Sequence, residues 1–91
     1  MEKAIGMIEV QSMVAAIAGF DAMVKAADVR LIHVEKRLGG RLVTIVVDGS
    51  VSDVTAAVEA GCRASSEVGK VKLFEVIPRP HPEVTKFLYT G

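Results

Sequence analysis

The sequence predicts an α+β fold whose elements follow in the order β-α-β-β-α-β. Three observations carry this: four short apolar segments of β-compatible composition, two longer segments with apolar residues at helical spacing, and glycine or proline near the junctions. The 91 residues suit one small domain over 1–91 and leave no room for a catalytic domain plus a regulatory one. The composition is 51% hydrophobic but only 4% aromatic, so the core is expected to be built from small side chains.

Ala4 to Val10 is nearly continuous in apolar character and reads as a strand buried on both faces. Ser12 can cap the helix that follows. Its Met13, Ile17, Phe20, Val24 and Ala27 repeat at helical spacing, while Ala15, Gly19, Ala22 and Ala26 form a second stripe with almost no bulk, against which something should pack closely. Val29 to Lys36 alternates and Leu42 to Val47 is β-branched, giving two strands joined by Arg37-Leu38-Gly39-Gly40, a hairpin loop whose glycines supply positive φ.

Asp48-Gly49 is expected to turn the chain, and Ser50 with Asp53 resembles a capping box. The second helix then places Val51, Val54, Val58, Gly61 and Cys62 on one face and Ala56, Ala60 and Ala64 on another, ending near Val68-Gly69 with glycine as a left-handed cap. Val71 to Ile77 is the fourth strand, stopped by Pro78, Pro80 and Pro82, and Glu83 to Leu88 is expected as a short helical tail. Right-handed crossovers make this a ferredoxin-like, four-stranded antiparallel sheet with the first and third strands central and both helices on one face. The other face would stay uncovered, and its apolar residues, together with the smooth helix stripes, point to oligomerisation.

Eleven basic residues balance eleven acidic ones, which removes an overall drive toward nucleic acid or anionic membrane. The longest charge-free stretch, Val10 to Phe20, is well short of the ~20 apolar residues of a membrane span. Met1-Glu2-Lys3 leads directly into the first strand without a signal-peptide pattern, so a cytoplasmic location is expected.

Glu9, Glu35, Asp48, Glu59 and Glu75 are scattered without an acid/base pairing, and no glycine-rich loop follows a strand in a phosphate-binding pattern. No enzyme, catalytic residue or cofactor is expected. His33 and His81 lack metal-ligand spacing, so no metal is expected either; His33 reads as a half-buried strand residue. The lone Cys62 reads as a small buried hydrophobe. An RNA-recognition role needs aromatic side chains on the central strands, where Met7, Ile8, Val43 and Ile45 stand instead. A ligand-sensing regulatory domain of the ACT type shares the topology and is the alternative function.

Ala4-Ile5-Gly6-Met7-Ile8-Glu9, Asp21-Ala22-Met23-Val24-Lys25-Ala26-Ala27 and Val76-Ile77-Pro78-Arg79-Pro80-His81 together resemble the hexamer-forming shell proteins of bacterial microcompartments, over nearly the whole chain. The resemblance implies a structural BMC-domain subunit, located in a microcompartment shell, that assembles as a homo-hexamer. These six-fold discs would tile with neighbouring hexamers and shell paralogues around encapsulated enzymes. It implies that Lys25 and Arg79, with Pro78, Pro80 and His81, form the inter-hexamer edge. It also implies that Lys36, Arg37, Leu38, Gly39 and Gly40 surround a central pore for small polar metabolites.

Two departures stand out. Glu35 to Arg41 is one residue longer than the usual Glu-Lys-Ile-Gly-Ser-Gly and lacks its serine, and Asp48-Gly49-Ser50 replaces a frequent Arg-Gly-Asp. If the strand pleat runs into the loop, Lys36 and Arg37 point to opposite sides and one of them lines the opening, Arg37 being preferred.

Overall fold

The structure, a computed structural model, describes residues 3–90. Met1, Glu2 and Gly91 lie outside the described residues, and with them most of the N-terminal segment from which a location was expected. The elements are β1 (Ala4–Val10), α1 (Met13–Ala26), β2 (Arg30–Arg37), β3 (Leu42–Gly49), α2 (Val51–Ser66), β4 (Val71–Ile77) and α3 (Pro82–Thr90), with a 3-10 turn (Leu38–Gly40) between β2 and β3. The sheet is antiparallel in the order β2-β3-β1-β4, so β1 and β3 are central as expected.

Side-chain caps start both long helices. Ser12 Oγ accepts the amide of Ala15 at 3.0 Å, and Ser50 Oγ accepts that of Asp53 at 3.1 Å. The expected reciprocal half of the capping box is replaced. Asp53 Oδ2 accepts the Ser50 hydroxyl at 2.9 Å, while its Oδ1 lies 3.5 Å from the amide of Asp28.

The helix-bearing face of the sheet carries Gly6, Ile8 and Val10 of β1 with Val43, Ile45 and Val47 of β3. Over it, α1 and α2 pack against each other through their smallest residues. A Cβ on Gly19 would stand 2.2 Å from Ser65 Oγ and 3.2 Å from the Gly61 carbonyl, and one on Gly61 would stand 2.7 Å from Met23 Cγ. Two glycines facing each other therefore set the helix separation. Ser65, fully buried, donates to the Ala15 carbonyl at 2.8 Å and satisfies its hydroxyl across the same seam.

Several expectations need correction. The smooth stripe of α1 is partly consumed within the subunit, Ala15 and Gly19 being buried under α2, and the bulky stripe is split: Met13, Phe20 and Ala27 pack half-buried against the core, whereas Val24 is exposed and Ile17 is 63% exposed. Ala26 is exposed and Ala22 half-buried. In β2 an irregularity between Leu31 and His33 leaves Ile32 as an extra residue, so Leu31, Val34 and Lys36 face the helices while Arg30, His33, Glu35 and Arg37 face away. Asp48-Gly49 does not turn the chain. Both stay in β3, Gly49 opposite Ala4 and Asp48 opposite Ile5 and Arg30. Gly69 is not a left-handed cap, because the turn after α2 closes on Glu67 in right-handed geometry. Its lack of a Cβ instead admits Ala15, whose methyl would be 3.2 Å away. The helical tail is present as expected and extends beyond Glu83 to Leu88 at both ends, over Pro82–Thr90, and it packs on β2.

Candidate functional site

The register divides the subunit into two poles, one at each end of the strands. At one, Val10 lies opposite Val43 and Val71, and Arg37 opposite Leu42. At the other, Ile5 lies between Ile77 and Asp48, and Asp48 lies opposite Arg30. The β2–β3 loop caps the first pole. Because α1 runs back along β1 for a rise of roughly 20 Å, Lys25 near its end lies at the second pole, where Arg79 also leaves β4. The residues expected to line a pore and those expected to form an edge are thus at opposite ends.

The loop pole is built around three consecutive residues with positive φ: Leu38 at 55°, Gly39 at 66° and Gly40 at 88°. Glycine adopts this geometry freely, and open space surrounds both glycines. Leucine does not. Leu38 holds a left-handed conformation that costs about 1–2 kcal/mol while its side chain is 66% exposed, a combination invisible in the sequence pattern. Arg41 ties the turn down, its Nε donating to the Leu38 carbonyl at 3.0 Å. Lys36 and Arg37 are both exposed and lie on opposite faces of the strand, as the pleat requires. A concavity lined by Met13 and by Lys36 to Gly40 opens beside them.

At the other pole Lys25 is 75% exposed and pairs with Asp21 at 2.8 Å, one helical turn back. An ion pair so exposed stabilises the helix little. Arg79 and Pro78 are exposed and Pro80 half-buried. His81 acts locally, opening α3: its Nδ1 accepts the amide of Glu83 at 3.1 Å and its carbonyl accepts those of Val84 and Thr85. That capping role was missed, although His81-Pro82-Glu83 placed a proline at the first helical position.

The structure also gathers a cluster that no motif suggested. Asp48, 1% exposed, receives on Oδ2 both Arg30 Nη2 at 3.1 Å and the Tyr89 hydroxyl, while its Oδ1 is buried without a partner. Burial and the hydrogen bond to Asp48 push the Tyr89 phenol up to about 12, and the same carboxylate raises the Arg30 guanidinium further above its ordinary value. His33 is half-buried and bonds Glu35 through Nε2 at 3.1 Å. Burial also pushes the Cys62 thiol up, away from the thiolate a nucleophile needs. Among the described residues no three His, Cys, Asp or Glu side chains are grouped to hold a metal ion, and no helix is long and apolar enough to cross a membrane.

Comparison with known proteins identifies the family. Residues 4–80 match the BMC domain. The chain is 49% identical over 90 residues to the bacterial microcompartment shell protein PduA of Citrobacter freundii, covering 99% of this chain and 96% of that protein. It is 44% identical to the shell protein EutM of Escherichia coli K12, with 98% and 91% covered. Among solved structures, a microcompartments protein from Desulfitobacterium hafniense DCB superposes with a TM-score of 0.85 at 28% identity; all of this chain matches, spanning about half (49%) of that one. These relatives are named as structural shell components rather than enzymes, and none favours the ligand-sensing alternative. The chain belongs to the BMC domain family of bacterial microcompartment shell proteins.

Proposed function

We propose that six copies of this subunit close into a flat disc with the Lys36 to Gly40 loops around a central pore and with Lys25 and Arg79 at the rim. The discs tile with one another and with related shell proteins around encapsulated enzymes. The observation that carries this reading is the placement of the two residue sets at opposite ends of the strands, which is what a radial arrangement demands. The exposed, strained Leu38 supports it, since a costly loop conformation held at a tip marks a position with a role there. Arg79 supports the rim reading because Pro78 and Pro80 stiffen the backbone around it, so less freedom is lost when it docks on a neighbour. His81, occupied in opening α3, belongs to the rim by position, holding the segment that presents Arg79.

Native mass measurement with electron microscopy of concentrated protein tests the reading. The parent should give six-subunit discs that extend into sheets or tubes. Lys25→Ala and Arg79→Ala should keep the disc mass but lose the sheets, because a hydrogen bond to a charged group is worth about 1.5–3 kcal/mol and a lattice repeats it at every edge. If both variants tile like the parent, the rim assignment is wrong.

A further inference from the structure

The last helix does something that neither the disc nor the pore requires. Strand β4 lies at one edge of the sheet and β2 at the other, yet the segment leaving Ile77 ends with α3 packed on β2. It therefore crosses the sheet at the Lys25 and Arg79 pole, on the face opposite α1 and α2. Beneath it runs one cross-strand row, Ile77, Ile5, Asp48 and Arg30, in which Ile5 and Asp48 are sealed from water. Val46, in the adjoining row, is sealed as well.

This strap is lightly built. Of its side chains, Thr85 and Leu88 are half-buried, whereas Val84, Phe87 and Tyr89 remain exposed. At its far end the Tyr89 hydroxyl donates to Asp48 Oδ2 and lies beside the Arg30 guanidinium. That bond leaves Asp48 with two donors on one oxygen and none on the other, although the guanidinium of Arg30 is a fork whose geometry fits both oxygens of a carboxylate. The span 4–80 that matches the BMC domain ends before the strap begins.

We propose that residues 82–90 are a detachable strap latched by Tyr89: when it lifts, Arg30 takes both Asp48 oxygens, and the Ile5 and Val46 part of the sheet is uncovered. The exchange creates no unpaired charge, because Asp48 stays paired with Arg30 in both states, and the buried oxygen left without a donor when the strap is down gains one when it is up. That compensation lowers the polar cost of lifting, which leaves the exposure of Ile5 and Val46 as what holds the strap down.

Hydrogen exchange on the assembled protein, followed by peptide mass, tests this with two variants. Tyr89→Phe removes only the hydroxyl and should speed exchange of the α3 amides about tenfold, the scale of one lost hydrogen bond, with the β1 to β4 amides unchanged. Arg30→Lys keeps the charge but loses the fork, so the lifted state is disfavoured and α3 should exchange more slowly than in the parent. Unchanged α3 exchange in Tyr89→Phe overturns the latch, as does acceleration spread evenly over the sheet, which would make Tyr89 an ordinary packing residue. Exchange in Arg30→Lys equal to or faster than the parent overturns the handover of Asp48.

Discussion

Replacing Gly19 with alanine should destabilise this protein, although alanine is the better helix former by about 1 kcal/mol. The new methyl would have to occupy a point 2.2 Å from Ser65 Oγ, 2.9 Å from Ile8 Cδ1 and 3.2 Å from the Gly61 carbonyl. The end of Ile8 can swing aside, but the Ser65 hydroxyl is fully buried and donates across the helix seam to Ala15, and the Gly61 carbonyl is backbone. Overpacking of a tight core costs about 1–3 kcal/mol, and displacing the hydroxyl forfeits a hydrogen bond worth about 0.5–1.5 kcal/mol. After the gain in helix propensity, a net loss of about 1–3 kcal/mol remains, and each kcal/mol lowers the melting midpoint by about 4–8 °C in a domain of this size.

Urea denaturation at one fixed protein concentration is the suitable assay, since association would shift the midpoint by mass action. Ser65→Ala provides the internal check. Alone it should lose about 1 kcal/mol with its hydrogen bond, but combined with Gly19→Ala it removes the closest clash, so the double variant should be more stable than the two single losses together imply. Gly61→Ala should cost less than Gly19→Ala, because the atoms it meets first belong to the flexible side chain of Met23, at 2.7 and 3.2 Å. A Gly19→Ala protein as stable as the parent, or strict additivity with Ser65→Ala, would refute the account of the seam.

Two further outcomes concern charge. Arg37→Glu should slow entry of an anionic substrate into intact shells without changing the disc mass, and Lys36→Glu, on the opposite strand face, should matter less; equal permeability of parent and Arg37→Glu shells ends the charge-selective pore. Raising the pH should release α3: the Tyr89 phenol titrates higher folded than unfolded, so its contribution is whole below about 10 and disappears as pH climbs through about 12. Tyr89 is the one tyrosine and tryptophan is absent, so the near-ultraviolet phenolate absorbance reports this group alone and should rise in step with α3 exchange.

The capping serines, the loop glycines and the central place of β1 and β3 were legible because each depends on residues a few positions apart or on the order of elements. Ser12 and Ser50 cap the helices they precede, and Gly39 and Gly40 take the positive φ assigned to them. What escaped was decided by partners distant in sequence. Asp48-Gly49 reads as a turn until Ala4 and Arg30 pair with it, and the extra residue Ile32 reverses the alternation of β2 only because β3 imposes its own spacing. Each stripe of α1 reads as one face, but the helices meet glycine to glycine, so Ala15 and Gly19 go inside, Met13, Phe20 and Ala27 pack half-buried on the core, and Ile17 and Val24 stay out. The candidate site shows the same division. The loop and rim residues lay within contiguous motifs, whereas the cluster of Arg30, Asp48 and Tyr89 joins three elements separated by 18 and 41 residues.

A net charge of zero conceals a local concentration of cations at the loop pole. From Lys36 to Arg41 there are three cations and no acid, whereas the concavity at the opposite pole is lined by Asp28, Asp48 and Asp53 with Lys3 and Arg30. Local field, not total charge, governs what approaches each end. In the six-fold disc proposed above the cationic loops converge on one axis and repel one another, a penalty that dissolved salt screens over about 10 Å at 0.1 M and that an anion in the opening relieves more directly. The arrangement that would draw anionic metabolites toward the pore would therefore also make the loop pole the part of the disc most sensitive to ionic strength. Exchange of the loop amides should slow as salt is added, while the seam between α1 and α2, held by apolar contact and one buried hydrogen bond, should not respond.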